Sequence, residues 1–332
     1  MRQAAHWLRQ LLKRYSSTLS KPTTNAYKAL EQPLQVGKIV SGDSGQTYTI
    51  EEILKERRNP LICVYRASSQ GKPYLLKNPV PYAFEDYKNW WSLLTPVPHV
   101  RPLDDSITSL KILVYPLLDG HLLDFAKKNL SPITRRNIIR DTLQGLAEMH
   151  DRGIFFIMLP DIKPDNIFII NYQENGEDEP VVTDMQIGDL EDAAYTRGGG
   201  IAGCLYGNQL WRSPESWAKG RQSAPSDIFS FALFLDSPGS WRHILRRQIS
   251  FFGDGEGLQG LIQHLGYDNP FSSRLVELLG TFRDGDGIQP LSEWQYGDAD
   301  FRDLVGKMTN LDPARRITAR EALEHPWFSK EL

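Results

Sequence analysis

A short polar run at positions 161 to 166 constrains the fold of this chain more than any other feature. Its sequence is Asp161-Ile162-Lys163-Pro164-Asp165-Asn166, which sets a carboxylate, an ammonium group and an amide within six residues. A further carboxylate, Asp189, follows in Ile187-Gly188-Asp189-Leu190-Glu191. Carboxylate and amide oxygens are ligands that Mg²⁺ prefers, and a lysine beside them neutralises phosphate charge. The pattern therefore predicts a fold that gathers these groups around a metal-bound triphosphate.

Four anchors occur along the chain in a fixed order. They are Tyr74-Leu75-Leu76-Lys77, the run from 161 to 166, Asp189, and Ser213-Pro214-Glu215. Two later segments, residues 227–230 and 312–318, complete the set. This ordered set resembles the eukaryotic-type protein kinase family over roughly residues 46 to 330. The resemblance implies an α+β, bilobal fold with an antiparallel β N-lobe and a mainly helical C-lobe.

The resemblance also implies a role for each residue of the polar run. Asp161 is expected to orient the proton of the substrate hydroxyl, and Lys163 to steady the γ-phosphate. Asn166 and Asp189 are the expected Mg²⁺ ligands. Phosphoryl transfer depends mainly on positioning and charge neutralisation, so each of these tasks is separable.

The expected nucleotide-binding residues lie mostly in the N-lobe. Lys77 is expected to hold the α- and β-phosphates, with Glu85 as its candidate ion-pair partner on the following helix. Residues 116–118 match the connector between the lobes, whose backbone holds adenine in the family. By alignment Tyr115 occupies the gatekeeper position, and Leu118 would offer backbone polar groups to the purine.

Local patterns divide the chain at residue 46. Residues 1–45 are expected to be a basic extension and linker, 46–118 the N-lobe with its connector, and 119–330 the C-lobe. β-branched and aromatic residues predict strands over 47–54, 61–67 and 73–76, and a further strand over 111–115. A short helix is predicted over 84–94.

Helix-boundary signals mark the C-lobe. Ser131-Pro132 predicts a helix N-terminus, and Gly153 fits the left-handed position after its end. Thr318-Ala319-Arg320-Glu321 is a capping-box pattern ahead of a short helix. The acidic stretch 172–180 predicts a solvated β-hairpin tip, with docking of a partner as the alternative.

Several family features are missing. Arg57, Asn59 and Ile62 align with the three glycines of the phosphate-covering loop, and Pro60 removes a backbone donor there. Leu159-Pro160 replaces the usual His-Arg pair, and Glu191 replaces the glycine that normally follows the metal-binding Asp by two positions. These departures favour weakened nucleotide binding and keep a catalytically inactive, scaffolding protein as an alternative.

Bulk composition excludes several other classes of function. The chain of 332 residues has 38 basic and 41 acidic residues, and its net charge of -3 gives no field that favours nucleic acid. Its two cysteines, Cys63 and Cys204, provide neither a disulfide framework nor a metal-ligand spacing. No apolar run approaches the length of a transmembrane helix.

The N-terminal segment bears on localisation. Basic residues and no acidic ones precede Glu31, and Leu8, Leu11, Leu12 and Tyr15 share one face of a helix. This composition is typical of a mitochondrial transit peptide. A membrane-surface helix or an arm packed on the domain are the alternatives, so the expected localisation is intracellular, either cytoplasmic or mitochondrial.

The resemblance thus implies a protein kinase that uses ATP and Mg²⁺. Lys163 within Asp-x-Lys-Pro-x-Asn is the form found in Ser/Thr kinases, which implies transfer of the γ-phosphate to Ser or Thr hydroxyls of a protein substrate. The alternatives are a pseudokinase that serves as a nucleotide-binding or scaffolding module, and a related small-molecule kinase.

Overall fold

A computed structural model describes residues 30, 32–80, 83–94, 96–122, 130–156, 166–170, 172–173, 181–182, 184–190, 193–195, 200–202, 212–233, 241–282, 291–294 and 297–329. The N-terminal part is a six-stranded antiparallel sheet in the order β1-β2-β3-β4-β6-β5. Its strands are β1 (Ile39–Ser41), β2 (Thr47–Arg57), β3 (Ile62–Ser69), β4 (Lys72–Lys77), β5 (Asp105–Ile107) and β6 (Ile112–Pro116). The strands predicted over 47–54, 61–67, 73–76 and 111–115 are confirmed.

Alternation along the strands builds the core of this sheet. In β3 the side chains of Cys63, Tyr65 and Ala67 point to one face and are fully buried. They pack with the buried side chains of β2, β4 and β6 in one hydrophobic cluster. The period of two residues is the expected consequence of strand geometry when one face meets a core.

The sheet begins before residue 46, where the sequence analysis placed the start of the domain. Strand β1 pairs with β2 through Val40 and Tyr48, and Val40 is buried. Leu34 joins the same cluster, and its backbone N–H donates to the Tyr65 hydroxyl at 3.1 Å. The core of the sheet therefore includes side chains from Leu34 onward, and the sheet itself begins at Ile39. The basic segment 1–29 lies outside the described residues.

One helix packs against the other face of the sheet. Helix α1 (Phe84–Leu93) agrees with the helix predicted over 84–94. Its side chains Phe84, Tyr87 and Trp91 are buried in a second cluster that includes Leu113 and Tyr115 of β6. This cluster continues into the C-terminal part of the chain, so the two parts share one core across the connector.

The C-terminal part is mainly helical. Its helices are α2 (Pro132–Asp151), α3 (Pro214–Trp217), α4 (Ala224–Ala232), α5 (Trp241–Phe252), α6 (Gly255–Leu265), α7 (Pro270–Leu279), α8 (Ala299–Met308) and α9 (Ala319–Leu323), with 3₁₀ turns at Leu291–Glu293 and Pro326–Phe328. The predicted boundaries of α2 are confirmed: the Ser131 hydroxyl accepts from the Thr134 N–H at 3.1 Å, and Gly153 has φ of 71°. The capping box of Thr318 and Glu321 is also present.

Short antiparallel strands lie between these helices and the cleft. They are β7 (Gly120–His121), β8 (Ile154–Phe156), β9 (Ile167–Ile169), β10 (Tyr172–Gln173), β11 (Val181–Val182), β12 (Met185–Ile187) and β13 (Ala193–Tyr195). Strand β9 pairs with β7 and β12, and β8 pairs with β13. The pairing of β10 with β11 confirms the base of the predicted hairpin; residues 174–180 lie outside the described residues.

The observed architecture is the predicted α+β, bilobal fold. In the described part of the chain, no helix combines the length and the apolar character that a membrane crossing requires.

Candidate functional site

Lys77 reaches the cleft from the end of strand β4. The strand is fixed on both sides, because Lys77 pairs in register with Val64 of β3 and Leu113 of β6. The next residue, Asn78, is buried and ties the strand end down by accepting from the Cys63 N–H at 2.7 Å. The Lys77 ammonium group forms an ion pair with a carboxylate oxygen of Asp189, and both side chains are partly exposed. Two predicted site residues that are far apart in sequence therefore meet in the cleft.

Asn166 and Asp189 lie side by side because one β-ladder ends at both of them. Strand β9 begins directly after Asn166, and β12 ends two residues before Asp189. Their pairing brings Ile167 opposite Ile187, and the Gly188 N–H donates to the Asn166 carbonyl at 2.9 Å. Asp189 has a left-handed φ of 55°, a conformation that Asp tolerates better than most residues.

This end of the cleft has the chemistry that Mg²⁺ and phosphate require. Asp189 supplies a carboxylate, Asn166 an amide and Lys77 a positive charge, and hard oxygen ligands suit Mg²⁺. Lys77 and Asp189 neutralise each other in this structure. A metal-bound phosphate would pair with both of them, the phosphate with Lys77 and the metal with Asp189. Asp161 and Lys163 lie outside the described residues, so their roles stay predictions.

Glu85 is not the partner of Lys77 that the sequence analysis expected. The Glu85 side chain is 62% exposed, and its carboxylate lies 4.0 Å from the Lys111 ammonium group. The face of α1 that turns inward carries aromatic side chains instead. Among them, the Trp91 indole N–H donates to the Tyr115 hydroxyl at 3.2 Å. Within the described residues, this aromatic contact therefore joins helix α1 to strand β6.

The turn above the cleft is a tight hairpin. Arg57, the last residue of β2, pairs in register with Ile62, the first residue of β3. Asn59 in the turn has φ of 64°, and Arg58 forms an ion pair with Glu56 at 2.7 Å. Weaker binding of phosphate by a loop without the three glycines stays a prediction from the sequence. Pro60 has no backbone N–H, so this hairpin offers fewer donors to a phosphate.

Both expected purine-site residues lie at the connector, and the side chain of a residue that the sequence analysis missed reaches it from a loop. Tyr115 is buried at the end of β6, and Leu118 is half-buried. No hydrogen bond within the described residues uses the Leu118 backbone, which leaves its polar groups accessible to a ligand. The missed residue is Arg101, whose guanidinium donates to the Pro116 carbonyl at 2.5 Å. A single arginine in a loop carries no pattern that would have identified it.

Buried charges support the cleft from the C-terminal side. Glu215 and Arg316 form an ion pair at 2.9 Å, with both side chains fully buried. Burial raises the pKa of Glu215, but the charge and hydrogen bonds of Arg316 outweigh burial and leave the pKa below its ordinary value.

Asp227 supports the segment that leads to Asp161. Its carboxylate accepts from the Phe156 N–H at 3.2 Å and lies 2.9 Å from the His150 ring. Burial raises the pKa of Asp227 despite the opposing effect of His150. Asp227 therefore links strand β8, which holds Phe156, to helix α2, which holds His150.

Comparison with known proteins agrees with the resemblance to protein kinases that the sequence motifs indicated. The model of the protein kinase domain matches residues 106–328. The serine/threonine-protein kinase/endoribonuclease ire-1 of Caenorhabditis elegans is 27% identical over 197 residues, which cover 59% of this chain and 17% of that protein. The calcium/calmodulin-dependent protein kinase cmkB of Emericella nidulans is 21% identical over 89% of this chain and 62% of that protein.

A solved structure shows the same fold. The crystal structure of a kinase domain superposes with a TM-score of 0.65 and 13% identity, over 90% of this chain and 98% of that one. The chain spans 17% of the length of the Caenorhabditis elegans protein and 62% of that of the Emericella nidulans protein, which is less than two thirds in both cases.

Proposed function

Because the chain belongs to the protein kinase family, we propose that it transfers the γ-phosphate of ATP to Ser and Thr hydroxyls of protein substrates. The observation that carries the proposal is the contact of Lys77 with Asp189 beside Asn166. These residues come from separate parts of the sequence. The fold nevertheless brings a positive and a negative side chain together at partly exposed positions, as expected of a site that binds a metal and phosphate.

The residues of the chain divide the work of transfer among them. Lys77 binds phosphate oxygens, while Asn166 and Asp189 hold Mg²⁺, which neutralises the charge of the transferring group when bound. Asp161 accepts or orients the proton of the attacking hydroxyl, and Lys163 steadies the phosphate. Lys163 and the printed name of the Caenorhabditis elegans relative support Ser and Thr as acceptors.

Transfer of labelled γ-phosphate to a generic basic protein tests the proposal. We expect Asp189→Asn to lower the rate by about 10²-fold or more, because the metal loses its carboxylate ligand. Asp161→Asn should have a comparable effect, whereas Asp268→Asn, at an exposed surface position, should match the parent. Excess chelator should abolish transfer, and the product should contain phosphoserine or phosphothreonine. Equal transfer by the parent, Asp161→Asn and Asp189→Asn would contradict the proposal.

The second candidate is a pseudokinase that binds nucleotide or a partner without efficient transfer. The placement of the Glu85 carboxylate near Lys111 favours it, because an active kinase is expected to pair a helix carboxylate with the lysine that holds the phosphates. Thermal melting with ATP, with and without Mg²⁺, separates the two candidates when no transfer is seen. A rise in Tm without transfer supports the second candidate, since a ligand that binds the folded state stabilises it by mass action.

A further inference from the structure

Arg101 is an unusual residue to find deep in the cleft. Its backbone N–H donates to the Ile187 carbonyl at 2.8 Å, which fixes it beside strand β12. Its side chain extends toward the connector and leaves the residue only 5% exposed. A charged side chain is rarely buried to this extent unless other groups compensate its charge.

Within the described part of the chain, the guanidinium contacts two aromatic rings and a backbone carbonyl. The Arg101 Cζ atom lies 4.9 Å from the centroid of the Tyr115 ring and 4.8 Å from that of Phe168. Its Nη2 atom donates to the Pro116 carbonyl at 2.5 Å. A planar cation stacks well on aromatic faces, and a charged donor strengthens the hydrogen bond.

Gly188 makes room for this arrangement. A Cβ atom at this position would lie 2.7 Å from the Phe168 ring and 3.2 Å from the Arg101 Cδ atom. Any other residue directly before Asp189 would therefore push against both partners. The close packing of Arg101 and Phe168 thus depends on a glycine within the metal-binding segment itself.

The guanidinium occupies a position suited to a purine. The space beside Tyr115 and Phe168 accepts a flat, π-bonded group, and the Pro116 carbonyl accepts one N–H from it. An adenine base has the same two properties, since it is planar and carries an exocyclic amino group. Arg101 and adenine would compete for one carbonyl and for the same ring faces.

We propose that Arg101 is a built-in competitor for the purine site, so that an adenine nucleotide binds only after the guanidinium has left the connector. The inference rests on the proposed function to the extent that the cleft takes an adenine nucleotide. The apparent affinity for nucleotide is then reduced by the fraction of molecules in which Arg101 has withdrawn. The Lys77 and Asp189 side chains remain partly exposed, so the guanidinium closes the purine end and not the phosphate end.

Adenosine is the appropriate probe, because it has the base and no phosphate. In equilibrium dialysis with labelled adenosine, we expect Arg101→Leu to bind about 10- to 100-fold more tightly than the parent, as one charge-assisted hydrogen bond no longer competes. Arg135→Leu, which removes an exposed arginine at the start of α2, should bind like the parent. Equal adenosine affinity of Arg101→Leu and the parent overturns the proposal.

A second variant covers the case in which Arg101→Leu does not fold. Arg101→Lys keeps the charge and the stem but loses the planar group that stacks on both rings. It should bind adenosine more tightly than the parent, and an unchanged affinity overturns the proposal as well. The adenosine measurement needs neither Mg²⁺ nor phosphate transfer. It can therefore be interpreted even if the protein has no kinase activity, and the transfer assay can be interpreted even if Arg101 does not affect adenosine binding.

Discussion

Replacing Arg316 with leucine is expected to destabilise the protein by about 3 to 5 kcal/mol, because one partner of a buried ion pair is removed. Glu215 would keep its place at zero exposure with its charge no longer compensated by Arg316. The same guanidinium also donates to the Asn310 and Pro225 carbonyls at 2.8 and 2.7 Å, and these acceptors would lose it too. Urea unfolding followed by tryptophan fluorescence measures the change.

The neighbouring arginine provides a matched control. Arg315 forms an ion pair with Glu256 at 2.7 Å, but its side chain is 51% exposed and that of Glu256 is 81% exposed. Exposed pairs contribute about 0 to 1 kcal/mol, so Arg315→Leu should leave the unfolding midpoint nearly unchanged. Similar losses in Arg315→Leu and Arg316→Leu would show that the buried pair has no special role.

The loss in Arg316→Leu should depend on pH. In the parent, Arg316 holds the pKa of Glu215 below its ordinary value, so the pair adds stability above that value and loses it as pH falls. In the variant, burial, the largest influence on the pKa of Glu215, is opposed only by hydrogen bonds from Ser226 and the backbone. We therefore expect a raised pKa, so stability falls as pH rises through it. The difference between parent and variant should therefore grow from acidic to neutral pH, and a constant difference would contradict this account.

The sequence analysis grouped Lys77, Asn166 and Asp189 at one site, and local strand geometry brings them together in the structure. Asn166 and Asp189 flank two short strands whose pairing brings their flanking residues together, and Lys77 ends a strand with clear alternation. Such patterns can be recognised in a single sequence, because the alternation of side chains along a strand involves residues that are close together in the chain. The assignments of Asp161 and Lys163 stay predictions.

Glu85 was misassigned although the sequence held a signal against it. Phe84, Tyr87 and Trp91 recur at helical spacing and form the buried face of α1. A residue directly after Phe84 lies about 100° around the helix from it, which turns Glu85 away from the core. The apolar stripe of the helix predicts that Glu85 is exposed, whereas the family pattern predicts an ion pair between Glu85 and Lys77.

Arg101 and the start of the sheet could not have been found in this way. The position of Arg101 depends on rings from Tyr115 and Phe168, which only the folded chain brings together. The segment before residue 46 is short and polar, and its place depends on distant partners. Among these, the Asp43 carboxylate accepts from the hydroxyls of Ser106 and Thr108 at 2.6 and 2.5 Å.

The segment from residue 34 to 45 should therefore be essential for the N-terminal sheet. A chain that starts at residue 46 loses the buried side chains of Leu34 and Val40, each of which contributes about 1.5 to 3 kcal/mol when fully buried. It also loses Ser44, whose hydroxyl donates to Asp105 at 2.5 Å. The remaining Asp105 carboxylate would keep the Tyr48 hydroxyl as a donor, at 3.0 Å.

We expect a chain that starts at residue 46 to be less stable than one that starts at residue 30 by about 3 to 6 kcal/mol, from the two apolar side chains alone. Urea unfolding of the two chains measures the difference, and limited proteolysis should cleave the shorter chain first within the sheet, where Tyr48 and Tyr65 lose their cover. Val40→Asp in the longer chain offers an independent check, because it places a charge at a buried position without shortening the chain. Equal unfolding midpoints for both chain lengths would mean that residues 34–45 are not part of the folded sheet, and that the boundary at residue 46 was correct.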